Sequence, residues 1–218
     1  SQLTTYRTEW RNPSTHDYKL DFDESEAFLA IVSVSALACL LLDQIAEKLS
    51  FNKSQAEAEA QKAALTARLP QAAGVSLLDR ATELLGQFCS QHLPQRTPSI
   101  KQTEIQFIGA LHGFLSSAAP DLSITPEAQL VLGKALRADL LLSLDDEKLV
   151  VEVKSPLFRV SRLNAIAQVE NYLALSGIPS GILLLLPDAP SIMHREALSV
   201  GGGDAQLIVL SPAGAGEA

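Results

Sequence analysis

Residues 139–154 read Asp139-Leu140-Leu141-Leu142-Ser143-Leu144-Asp145-Asp146-Glu147-Lys148-Leu149-Val150-Val151-Glu152-Val153-Lys154. Leu140 to Leu142 continue from Asp139 as an apolar strand, Asp145 and Asp146 make a polar turn, and Leu149 to Lys154 return as a second strand. Side chains alternate faces along a strand, so Glu152 and Lys154 point one way and Val151 and Val153 the other. An Asp entering a hairpin and a Glu-x-Lys leaving it gather two carboxylates and an ammonium in one small space. Three ionisable groups turned toward a protein interior are costly unless a cation and a substrate offset them. The hairpin is therefore a functional-site candidate. Val150, Val151 and Val153 argue against a solvated hairpin with ordinary surface charges.

The pattern on either side places this hairpin in an α/β sandwich around a mixed sheet. Upstream, Thr103 can cap a helix running to about Ser117, with Ile105, Ile108, Leu111, His112 and Leu115 at helical spacing. Strands are expected near 128–132, 137–144 and 148–155. Downstream, a helix runs from about Ser161 to Ser176 and ends at Gly177, which suits a C-terminal cap. Residues 181–186 form a continuous apolar run, as expected of a strand covered on both faces. After the Gly201-Gly202-Gly203 turn, residues 206–210 are expected to form the last strand. The order is αβββαβ. On the helix after the Glu-x-Lys strand, Gln168 and Tyr172 stand one turn apart and share a face.

Asp139, Glu152-Val153-Lys154 and Gln168-x-x-x-Tyr172, in this order, resemble the PD-(D/E)xK nuclease superfamily, and the Gln-x-x-x-Tyr element resembles its RecB-like branch. Glu104 matches the acidic residue that many members carry on the first core helix. The run from Gly133 to Asp139 is similar to the approach to this Asp in the nuclease domain of type I restriction motor subunits, with Ala138 in place of the commoner proline. The resemblance covers residues 101 to about 186. It implies a restriction-endonuclease-like core and Mg²⁺-dependent hydrolysis of DNA phosphodiesters, with Mn²⁺ able to substitute, in a defence or repair setting.

The resemblance also implies roles. Asp139, Glu152 and the Val153 carbonyl would hold the metal, which prefers hard oxygen ligands. Lys154 would orient the attacking water or offset charge on the scissile phosphate. Glu104 would bind a second metal or its water, or serve only as a helix-cap acid. Gln168 and Tyr172 would brace the site, with core packing as the alternative for Tyr172. Arg137, Arg159 and Arg162 are candidate phosphate contacts, or solvated surface arginines. Two further readings stay open: a catalytically inactive assembly subunit that kept the fold, and an RNA-directed nuclease.

The rest of the chain limits these expectations. The formal net charge is -8, and neither half is basic: residues 1–99 carry 9 Lys+Arg against 12 Asp+Glu, and residues 100–218 carry 8 against 13. Nucleic-acid binders usually present a basic surface. Between Lys134 and Arg162, six bases meet five acids, two of which a bound cation would neutralise. Two cysteines, Cys39 and Cys89, are expected to be free thiols and cannot supply a four-cysteine iron–sulfur cluster. Four scattered histidines do not make a zinc site.

Residues 1–98 are expected to form a helical region for dimerisation or partner docking, and residues 99–218 the nuclease-like domain. The boundary is set by the proline-bearing break at residues 94–98. Residues 27–42 contain no charge and fall short of the roughly 20 apolar residues of a spanning helix. A buried or partner-facing helix is preferred there over a membrane segment or a strand. Residues 54–69 and 77–88 read as further helices, separated by a break at 70–74. No signal peptide is read in the polar, acidic residues 1–26, and a cytoplasmic location is expected.

Overall fold

The computed structural model describes residues 24–61, 75–93, 103–131, 136–155, 161–187, 191–203 and 205–212. Its elements are helix α1 (Glu24–Ala60), α2 (Leu77–His92), α3 (Glu104–Ala118), strands β1 (Ser123–Gln129), β2 (Arg137–Leu144) and β3 (Glu147–Lys154), helix α4 (Arg162–Ser176), and strands β4 (Ser180–Leu185), β5 (Met193–Val200) and β6 (Ala205–Pro212). The contacts divide the chain into two units, Ser1–Lys48 and Leu49–Ala218.

In the second unit all six strands form one mixed sheet in the order β1-β2-β3-β4-β6-β5. β1, β2 and β3 are antiparallel neighbours, β3, β4 and β6 run parallel, and β5 returns antiparallel along β6. The expected α/β class and the βββαβ succession are present. β5 is an addition. It lies at an edge of the sheet and is mostly exposed, so it lacks the apolar alternation by which a strand is read. β1 spans 123–129 rather than 128–132. The apolar Leu130 and Val131 drew the expectation, whereas Pro126 is tolerated within β1 because this is an edge strand.

Two apolar clusters form on the sheet. Leu140, Leu142, Leu149, Val151 and Val153 belong to the first, together with Leu84, Leu85 and Phe88 of α2 and Phe107, Leu111 and Phe114 of α3. Val150, Leu183 and Val209 belong to the second, with Ala165, Val169, Tyr172 and Leu173 of α4. Helix α2 thus shares a core with α3 and the sheet. The break expected at residues 94–98 lies outside the described residues, and the helix before it packs within the same unit as the helix after it.

Local chemistry explains the helix ends. Thr103 and Gln106 make a reciprocal capping box at the start of α3, as Thr103 led one to expect. Ser161 caps α4 through the Asn164 N–H, and Gly177 closes it at φ 70°, a left-handed conformation that glycine adopts without penalty. Residues 24–60 form one unbroken helix, although separate segments at 27–42 and 54–69 were expected; residues 62–69 lie outside the described ones. Its buried residues, Ser54 and Ala58, both fall in the second unit, where Ser117 Oγ donates to the Gln55 carbonyl at 3.2 Å.

Gly113 sits where α3 meets this end of α1, and a Cβ there would lie 2.2 Å from the Phe51 carbonyl oxygen. A helix-interior Gly→Ala change ordinarily stabilises by up to about 1 kcal/mol. Gly113→Ala should instead destabilise by about 1–3 kcal/mol through overpacking, read as a lower urea midpoint with an unchanged slope.

Candidate active site

The β2/β3 ladder pairs Leu144 with Glu147 at the turn and reaches Leu140 opposite Val151, where it ends. The next pair would be Asp139 and Glu152. There the side chains take over from the backbone ladder. The Val153 N–H donates to Asp139 Oδ2 at 2.7 Å, and the Asp139 N–H donates a longer bond of 3.4 Å to Glu152 Oε2. Beyond this point β2 keeps its pairing with β1 through Ala138 and Arg137, and β3 keeps its pairing with β4 through Lys154. The two strands therefore fork, and two carboxylates fill the opening. The β1/β2 pairing also skips a step here, where Glu127, opposite Asp139, adopts φ 45°. Such left-handed backbone in a non-glycine residue is uncommon and recurs at functional sites.

Glu152 is only 2 % exposed. Its Oε1 accepts from Lys154 Nζ at 2.6 Å and from Gln168 Nε2 at 2.8 Å, and the same Nε2 lies 2.5 Å from the Tyr172 hydroxyl. Gln168 reaches this position because the buried stripe of α4, Ala165, Val169, Tyr172 and Leu173, turns that edge of the helix toward the sheet. Gly181 on β4 permits the approach, since a Cβ there would lie 3.1 Å from Val169. Glu104, in the first turn of α3, accepts from the Ser155 N–H at 2.8 Å and so joins that helix to the end of β3.

The electrostatics follow from this crowding. Burial, and then the neighbouring Glu152 carboxylate, push the Asp139 carboxyl up to about 7. Burial raises Glu152 as well, against the opposing pull of Lys154. For Lys154, burial favours the neutral amine, but its bond to Glu152 and the fields of Glu152, Asp139 and Glu104 outweigh this and raise its pKa. It stays an ammonium. Burial also raises Tyr172, which is therefore a neutral phenol at pH 7.

The structure thus brings Asp139, Glu152, Lys154, Gln168 and Tyr172 together, with Glu104 anchored beside them. It also places the Val153 carbonyl. Lys154 O accepts from Leu186 N–H, on the β4 side. Successive residues of a strand alternate the side to which their backbone groups point. The Val153 N–H and C=O therefore both point into the fork, and the N–H does bond Asp139 there. Hard oxygen donors suited to a divalent cation consequently converge: two carboxylates and one carbonyl. Among the described residues no group of three or more His, Cys, Asp or Glu stands together as a ready metal cage.

The arginines are set differently. Arg137, at the start of β2, pairs with Glu127 at 3.3 Å on the surface. Arg162, at the start of α4, is ion-paired with Glu196 of β5, and Arg159 lies outside the described residues. Two residues were overlooked in the sequence. Glu127 bears the unusual backbone opposite Asp139 and had no signal in its residue type. Ser155 is buried and holds Glu104; its place directly after Lys154 was the one available clue. No protein-family model matches the chain, and no curated protein matches it.

An acid whose pKa is higher folded than unfolded binds more protons in the folded state, so stability is gained below that pKa and lost as pH rises through it. Between the ordinary value of about 3.9 and about 7, Asp139 acts in this direction, and Glu152 reinforces it. In EDTA the protein should lose on the order of 2 kcal/mol of this contribution between pH 5 and pH 8. Urea midpoints at the two pH values check this, and Asp139→Asn should remove most of the difference.

Proposed function

We propose that the chain is a metal-dependent nuclease that hydrolyses DNA phosphodiester bonds, with a restriction-endonuclease-like core of the PD-(D/E)xK type. The observation that carries this reading is the fork itself. Asp139, Glu152 and Lys154 occupy one opening in the sheet, and Gln168 and Tyr172 reach it from the covering helix.

Asp139, Glu152 and the Val153 carbonyl would hold Mg²⁺ or Mn²⁺, with Glu104 reaching a second ion or its water. Such an ion supplies a water of lowered pKa and stabilises charge developing on the phosphate. The chain's own residues do the rest. Gln168 and Lys154 fix Glu152 in one orientation. The ammonium of Lys154, kept protonated by its carboxylate neighbours, orients the attacking water or steadies the scissile phosphate. Tyr172 braces Gln168 and offers its hydroxyl toward the same space. The assignment to DNA rests on the resemblance, because this set of side chains does not read the sugar.

The acidic balance of the chain favours a second reading, a nuclease-fold assembly subunit without catalysis. Purified protein incubated with single- and double-stranded DNA and Mg²⁺ or Mn²⁺ separates the two. Cleavage should fall by about 10²-fold or more in Asp139→Ala and in Lys154→Ala, the scale at which loss of one electrostatic stabiliser is felt. Unchanged cleavage in either variant would reject the role of the residue replaced. An absence of calorimetric heat on adding divalent metal, with no cleavage, would favour the assembly subunit. Preferential cutting of RNA in competition would correct the substrate.

Glu104→Gln offers a finer check. If Glu104 acts through a second ion or water, the metal concentration needed for half-maximal cleavage should rise several-fold while the urea midpoint moves little. A stability loss with unchanged metal dependence would make it a purely structural clasp on Ser155.

A further inference from the structure

The first unit carries a large apolar surface that the fork does not explain. Residues 27–42 of α1 contain no charged side chain and lie between Glu26 and Asp43. The most apolar 18-residue window of this helix is 0 % buried in the structure. Leu29, Ile31, Leu40 and Leu42 are between 53 and 65 % exposed. Monomeric soluble proteins rarely expose a contiguous apolar surface of this kind without a binding role.

The distribution of these residues selects the occupant. Each helical step turns about 100°, so Leu29 and Leu40 stand on one side while Ile31 and Leu42 stand about 200° away on the other. A two-stranded coiled coil needs one apolar stripe, with polar residues on its outward face. Here a second copy would cover one side and leave leucines in water on the other. An interfacial helix lying along a membrane also needs a polar face, which residues 27–42 lack. A helix apolar all round is suited to complete burial, in a large protein core or across a bilayer.

The same helix changes character after Asp43. Glu47, Lys48, Lys53, Glu57 and Glu59 follow, and the buried residues Ser54 and Ala58 appear only there. One continuous helix therefore has an apolar half bounded by acids and a half with the charge of a water-facing element. We infer that residues 27–42 of α1 insert across a lipid bilayer and anchor the chain to it. Sixteen uncharged residues span about 24 Å, less than a hydrocarbon core of about 30 Å, a mismatch that local thinning accommodates. The anchor departs from the expectation of a cytoplasmic, partner-facing helix and is independent of the nuclease reading.

The test is flotation of the full chain with vesicles of neutral phosphatidylcholine. The protein should float with the vesicles and resist stripping by 1 M salt or alkaline carbonate, on the order expected of a spanning helix. Two double variants, Leu29→Lys with Leu40→Lys and Ile31→Lys with Leu42→Lys, should each lower the floated fraction by about tenfold, because both sides face lipid. Asp139→Ala should float like the parent. Circular dichroism confirms that the variants remain helical. Protein that stays soluble without detergent and does not float would overturn the inference. So would loss of self-association in only one double variant, which would assign the helix to a second copy.

Discussion

Two carboxylates share the place where β2 and β3 stop pairing, and the surrounding architecture answers to that constraint. A buried carboxylate such as Glu152, 2 % exposed, is tolerable only when its oxygens are bonded. Lys154, two residues on, and Gln168, from across the layer, supply donors to one oxygen, while the Asp139 backbone supplies a donor to the other. Gln168 can do so only if α4 lies over the fork in one rotation about its axis. The small Gly181 beneath it and the caps Ser161 and Gly177 at its ends set that placement. The covering helix is thus a positioning device for the charged centre as well as half of a hydrophobic layer.

The fork also explains why the site lies where it does in the sheet. β3 runs antiparallel to β2 and parallel to β4, so its carboxyl end marks the change from one pairing mode to the other. Ligands of open α/β sheets commonly sit outside the carboxyl ends of strands. Here the switch coincides with an absent ladder step between Asp139 and Glu152. A second absent step lies between Asp139 and Glu127. Backbone groups released from pairing at that point become available to side chains, as the Val153 N–H shows by bonding Asp139.

Much of this was legible because it is local. The hairpin, the Thr103 cap and the Gly177 stop each depend on residues within a few positions of one another, and period-two and period-3.6 patterns report them directly. The grouping of Gln168 with Glu152 required a long-range match, which the motif order supplied. What stayed hidden was set by tertiary context. β5 is an edge strand whose pairing with β6 does not demand apolar alternation. β1 contains Pro126, and the expectation for it was drawn toward the more apolar residues after the strand. The distortion at Glu127 leaves no trace in residue type. The place of α2 in the same core as α3 was obscured by the proline-bearing stretch between them, which reads as a domain boundary.

The charge balance takes on a different meaning once the ion pairs are placed. Six bases between Lys134 and Arg162 favour a phosphate locally when only the count is considered. Yet Arg137 is paired with Glu127, and Arg162 with Glu196, acids that lie outside that stretch. Lys154 is committed to Glu152. Half of the local bases are thus already matched, in a chain of net charge -8. Under the nuclease reading, attraction for phosphate must then come chiefly from a cation bound between Asp139 and Glu152, whose charge would dominate so small a site. The same buried carboxylates that burden the metal-free fold would, with that cation in place, become the means of drawing an anionic substrate to an acidic protein.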